Sequence, residues 1–200
     1  MELLNLPKGC KTALSNLKES DKVIEMFKIM LKKMTYSMES SETPSKIKTP
    51  AEVWRDKRGM CFELSYFIIA CLKFISERYK LHLKYYYLEM PNVKINGKYW
   101  DHAAVLVTYD KKSIILDLGR KKINPRYPKS NRLGKDKLYG NFLVDCALMF
   151  RQDRTKLKNQ DPQLAKKAVF YAKKALKYYP DSLRAKDIIK YNSRIVINQK

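Results

Sequence analysis

The sequence predicts an α+β fold: N-terminal helices packed on an antiparallel β-sheet, followed by a C-terminal helical hairpin. Three observations carry this. Apolar residues recur at three- and four-residue intervals through the first third of the chain. The period changes to two from Leu83 onward, where Tyr, Leu and Val dominate. A helical period returns from Asp161 to Gln199. The division expected is a core over residues 1–150 and a hairpin over residues 151–200.

The first 20 residues carry Pro7, Gly9 and scattered polar residues and read as a loop with a short helix. From Asp21 to Tyr36, Val23, Ile24, Phe27, Met30, Leu31 and Met34 form one apolar stripe, with Asp21 as cap. Residues 37–48 are rich in Ser, Thr and Glu around Pro44, a surface loop. Thr49-Pro50-Ala51-Glu52 opens the next helix: a capping Thr, Pro at the first position, Glu at the third. Gly59 marks the joint to a second helix, Cys61 to about Tyr79, apolar on nearly every side and therefore buried on several sides.

Leu83 to Leu88 reads as a strand, Asn96-Gly97 as a hairpin turn, Tyr99 to Tyr109 as a strand and Ser113 to Leu118 as its partner. Gly119 to Gly140 is a long basic connection, and connections of that length are functional or mobile. Residues 141–151 are apolar in a period that leaves strand and helix both open. Asp161-Pro162 starts a helix with an alanine-rich stripe. Pro180-Asp181-Ser182 breaks the chain into a second helix, and the pair looks like half of a tetratricopeptide repeat. Its Lys166, Lys167, Lys173, Lys174 and Lys177 make a solvated basic face.

Composition bounds the partners. Two hundred residues, 45% hydrophobic and 31% charged, suit a globular chain able to bury a core without disulfides or metal. A formal net charge of +22 attracts anionic partners: an acidic protein or peptide substrate first, nucleic acid second. The N-terminus has no basic and apolar leader, and the longest apolar run is interrupted by Glu63 and Lys73. A cytoplasmic protein with reduced thiols and no membrane insertion is expected. Cys10, Cys61, Cys71 and Cys146 include no C-x-x-C pair, so neither a metal nor a cofactor is expected.

One constellation carries chemistry. A thiol at a helix N-terminus, as at Cys61, feels the positive end of the helix dipole, which favours the thiolate. Of the two histidines, His82 has no acid positioned to orient it, and His102 lies in an apolar strand. Asp117 is a carboxylate inside another, costly there unless something pairs with it. If Tyr109 pairs with Lys112 around a two-residue turn, Asp117 faces Ala104 and becomes the diagonal neighbour of His102 on one face. A three-residue turn would put them on opposite faces. A thiol, an imidazole and a carboxylate have the logic of a triad: Cys61 nucleophile, His102 base, Asp117 orienter.

The stretch Thr49-Pro-Ala-Glu-Val-Trp-Arg-Asp-Lys-Arg-Gly-Met-Cys-Phe-Glu-Leu-Ser65, then His102-Ala-Ala-Val-Leu-Val107, then Ile115-Leu-Asp117, resembles the transglutaminase-like superfamily. The upstream Met30 to Tyr36 is similar to the helix preceding that family's core. The resemblance covers about Val23 to Gly119 and implies a papain-like core with Cys61, His102 and Asp117 catalytic. Such a thiol enzyme cleaves or transfers an amide or acyl group through an acyl-enzyme. Ala104 stands where the family often carries Trp, which keeps a second reading in view: a catalytically silent basic binding module of the same fold. Arg58-Gly-Met-Cys-Phe-Glu-Leu-Ser65 and Asp117-Leu-Gly-Arg120 also look like arylamine N-acetyltransferases, with Ser65 in place of their Asn. Trp54 and Trp100 are candidates to flank the groove. Lys121, Lys122 and Arg126 are candidates for a mobile basic rim that draws in an anionic substrate.

Overall fold

The computed structural model describes residues 4–37, 47–95, 98–127, 130–150 and 161–197; the side chains of 91–95, 98–100, 135 and 197 are outside this description. It divides into two compact units, Met1–Glu39 with Lys48–Gly134, and Ser40–Ile47 with Lys135–Lys200. The mixed helical and antiparallel architecture is the α+β class read from the sequence. The expected loop over residues 37–48 and the Asn96-Gly97 turn fall largely or wholly outside the described residues.

In the first unit, α1 (Lys8–Leu14) and α2 (Lys22–Lys33) come first. Asp21 caps α2, accepting from the Ile24 amide at 3.1 Å, and Val23, Met26, Phe27 and Met30 are buried. The helical stripe was expected to run to Tyr36, but the chain turns extended at Met34. Thr35–Tyr36 forms a short strand, β1, parallel to β2 (Arg58–Gly59). The backbone explains the switch: the Thr35 amide donates to the Lys57 carbonyl and the Ser37 amide to the Gly59 carbonyl. A β-branched Thr suits that conformation better than another helical turn.

Between these strands lies α3 (Pro50–Asp56), opened by the capping box of Thr49 and Glu52, a device worth about 0.5–2 kcal/mol. The sharp turn expected at Gly59 sits instead at Lys57, whose φ of 56° closes α3 in the left-handed region. Gly59 is needed for a different reason. A Cβ there would lie 3.2 Å from both Cβ and Oε2 of Glu63.

The long helix α4 (Cys61–Tyr79) buries Leu64, Tyr66, Phe67, Ile68, Ile69, Ala70, Cys71, Leu72 and Ile75. Each large apolar side chain among them contributes about 1.5–3 kcal/mol by leaving water. No described helix is long and apolar enough to cross a membrane. Strands β3 (Lys84–Ile95), β4 (Lys98–Tyr109), β5 (Lys112–Asp117), β6 (Lys122–Ile123) and β7 (Asn131–Leu133) form one antiparallel sheet in the order β6-β5-β4-β3-β7.

The two faces of the sheet differ. Tyr66 of α4 stacks on Tyr87 of β3 at 5.1 Å between ring centroids, so α4 covers the face that Tyr87, Val105 and Val107 share. Leu88, Met90, Ala104 and Leu106 form a cluster on the other face, joined by Tyr86, Ile115 and Tyr127. Strands β6 and β7 are opposite edges, and Tyr127, between them in sequence, packs on this second face.

In the second unit, α5 (Lys135–Met149), α6 (Pro162–Leu176) and α7 (Leu183–Ile197) pack together. The segment left open between strand and helix is α5. Its Leu143, Val144 and Ala147 pack with Ala168, Ala172 and Ala175 of α6 and with Ala185 and Ile188 of α7. The unit therefore starts at Lys135 rather than at the boundary expected after residue 150, because α5 buries its apolar face with the hairpin. Asp161 and Ser182 cap the two hairpin helices as their sequence positions imply.

Candidate active site

The β4–β5 register runs Val105 to Leu116, Leu106 to Ile115, Val107 to Ile114, Thr108 to Ser113 and Tyr109 to Lys112. The turn is the two-residue one, with Asp110 and Lys111 at φ of 45° and 60°, as a type I′ hairpin requires. One step further along, Asp117 falls opposite Ala104, diagonal to His102 on the same face. His102 Nε2 and Asp117 Oδ2 lie 2.7 Å apart, with both side chains buried.

Asp117 is fully buried, yet it is well supplied with donors. The Arg120 amide donates to Oδ1 at 2.9 Å, and the Tyr127 hydroxyl donates to Oδ2 in a short hydrogen bond. This answers the cost of a carboxylate inside an apolar strand. A carboxylate only accepts, so Nε2 is the His102 nitrogen that carries a hydrogen, and in a neutral ring Nδ1 is the one with the lone pair.

Tyr127 also lies beside the His102 ring, at 5.8 Å between centroids and tilted by 49°. Burial, and then the bond to Asp117, push its phenol well above the ordinary value, so it remains a donor at neutral pH. Arg120 stands over the Tyr127 ring at 5.9 Å. Tyr127 was not singled out in the sequence. The only sequence signal for it is an aromatic residue inside an otherwise basic, Pro-containing connection.

Cys61 is the first residue of α4 and is buried, with 9% of its surface exposed. The carboxylate of Glu63, itself fully buried, fixes this helix start: Oε1 accepts from the Lys48 amide and Oε2 from the Met60 amide, each at 2.8 Å. Glu63 thereby ties the preceding loop to the helix. The helix reaches the carboxylate at the end of β5, across Gly119. A Cβ on Gly119 would lie 3.6 Å from Cys61 Cβ, 3.5 Å from Asp117 Oδ1 and 3.5 Å from Tyr36 Cδ2. Three side chains from distant parts of the chain thus surround Gly119, each at ordinary van der Waals distance from where a Cβ would sit.

Tyr36 was likewise not singled out. Burial, and then the nearby Cys61 thiol, raise its phenol to about 12. Lys122 pairs across the ladder with Asp117, and Lys121, Lys122 and Arg126 are exposed. The connection expected to be mobile forms a strand at each end, with Tyr127 anchored between them.

Trp54 packs against α4. It stacks on Phe67 at 6.3 Å, carries the Lys57 ammonium 3.2 Å from its ring centroid, and lies against Gly9. The Trp100 backbone pairs with Val93; its side chain is outside the described residues. His82 is exposed. Cys10 and Cys71 are fully buried neighbours, and burial first, then Cys10, pushes the Cys71 thiol up, which makes it inert. Among the described residues no three His, Cys, Asp or Glu side chains converge as a metal site would need.

The first unit is thus an α+β core with a cysteine at a helix start and a histidine–aspartate pair on the adjoining sheet. The chain is similar in structure to a candidate cysteine protease from Cytophaga hutchinsonii, at 15% identity and a TM-score of 0.44. That match covers 66% of this chain and 45% of the other. It is also similar to a TGase, at 19% identity and a TM-score of 0.38, covering 64% of this chain and 32% of that one. The chain therefore spans less than half the length of either structure. It matches no family model and no curated protein.

Proposed function

We propose that the first unit is a thiol enzyme that cleaves or transfers an acyl group through a thioester on Cys61. The observation that carries this reading is that a Cβ on Gly119 would touch both Cys61 and Asp117, whose carboxylate already holds His102. The resemblance of the Cys, His and Asp segments to the transglutaminase-like superfamily points the same way.

In this reading His102 Nδ1 takes the thiol proton, and the Asp117 carboxylate stabilises the imidazolium through Nε2. The Cys61 sulfur attacks a substrate carbonyl carbon. A C–S bond forms and the carbonyl π pair moves to oxygen. The pair returns, the C–N or C–O bond breaks, and the leaving group departs with the proton from His102. Water or an amine then attacks the thioester, gives its proton to His102, and releases Cys61 as thiolate, which takes the proton back.

Iodoacetamide labelling near neutral pH tests the reading, with intact-mass detection. The wild type should react at Cys61 and Cys61→Ala should not, since Cys10 and Cys71 are fully buried and Cys146, no more exposed than Cys61, lies in the last turn of α5, where the helix dipole disfavours a thiolate. Equal labelling of the two would remove it. A Cys61 that reacts no faster than a free thiol would return the chain to a binding module.

A further inference from the structure

The geometry points to the Tyr36 hydroxyl as a donor to the oxyanion that forms when Cys61 attacks a carbonyl. The inference rests on the reading of Cys61 as nucleophile and adds to it a residue that the Cys, His and Asp pattern does not contain.

Three independent features place Tyr36. First, β1 is hydrogen-bonded in parallel to β2, with Tyr36 in register with Gly59, two residues before the thiol. The Thr35 and Ser37 amides clamp it on both sides, through Lys57 O at 2.9 Å and Gly59 O at 3.0 Å. This backbone is held by the same short segment that leads into Cys61, so ring and thiol are positioned together. Second, the Tyr36 ring borders the Gly119 space along with Cys61 and Asp117. Third, Tyr36 is 40% exposed, while Cys61, His102 and Asp117 are buried. It is the member of the group with the most surface open to solvent.

The chemistry suits the position. A phenol has one O–H, and its pKa here is raised to about 12 by burial and then by the thiol's charge. It stays protonated beside a thiolate and can only meet developing negative charge as a donor. During attack the negative charge moves from sulfur to the carbonyl oxygen. A donor carried on a ring that borders the same glycine as Cys61, on a backbone already held by β2, can follow that charge without reorganising, which is where electrostatic stabilisation is largest. The amide of Cys61, at the first position of a helix, is the natural second donor.

Two probes separate this role from that of the triad. Alkylation by iodoacetamide displaces iodide and forms no oxyanion. Acylation by p-nitrophenyl acetate forms one. Tyr36→Phe removes a single hydroxyl from a partly exposed ring, and its thermal midpoint serves as the folding control. The expected result is a roughly 10²-fold slower release of p-nitrophenolate at Cys61, with alkylation within about twofold of wild type. Acylation at the wild-type rate would overturn the inference and leave the thiol reading intact. Equal slowing of both reactions would also overturn it, because Tyr36 would then act on the thiol itself. Loss of neither reaction in Cys61→Ala would overturn the thiol reading, and this inference with it.

Discussion

Tyr127 donates its hydroxyl to Oδ2 of Asp117, the same carboxylate oxygen that stands 2.7 Å from His102 Nε2. One oxygen therefore serves two donors, one on the sheet and one on the segment that follows β6. The carboxylate cannot rotate toward one without disturbing the other. Tyr127 fixes the orienter, and through it the ring.

Tyr127→Phe removes that constraint and leaves a buried carboxylate one donor short. Losing a hydrogen bond to a charged group costs about 1.5–3 kcal/mol, which urea denaturation would read as a lower midpoint. Acylation of Cys61 by p-nitrophenyl acetate should slow about tenfold, because a misplaced His102 is a poorer base. A stability loss with unchanged acylation would show that Tyr127 is structural only.

Lys121, Lys122 and Arg126 are exposed on the stretch that follows Asp117, and Lys122 pairs directly with it. Their triple replacement by Gln should slow capture of an anionic ester, such as p-nitrophenyl succinate, by about 3- to 10-fold at low salt. The difference should vanish as salt rises, since exposed charges are screened beyond ~8 Å at physiological ionic strength. Neutral p-nitrophenyl acetate should react as before. A salt-independent rate for the anionic ester would put these cations outside the approach path.

In the second unit, Gly140 of α5 packs against the turn between α6 and α7. A Cβ there would lie 2.6 Å from Tyr179 Cβ and 2.9 Å from the Tyr179 amide nitrogen. Backbone cannot yield as a flexible side chain does, so Gly140→Ala should destabilise by about 1–3 kcal/mol although alanine is the better helix former. Circular dichroism melts would register this as a lower midpoint; a raised one would mean that the helices separate at no cost.

What the sequence determined by itself was local, or followed from local periodicity. The capping box at Thr49, the helix start at Cys61, and the caps at Asp21 and Asp161 are set by residues within a turn of one another. The pairing of His102 with Asp117 was also legible, because a two-residue turn at Asp110-Lys111 fixes the register and register fixes the face. Only the tertiary structure decided the rest of the site. Tyr127 acts on Asp117 because the chain after β6 lays it on the second face of the sheet. Tyr36 lies against Gly119 alongside Cys61 because the chain leaves α2 and β1 pairs with β2. Gly119 is where these parts converge. Similarly, α5 shows no clean period, and its helical state is settled by the alanine faces of α6 and α7 against which it buries. Contacts of this kind depend on which segments pair across long separations, and no window of neighbouring residues contains that information.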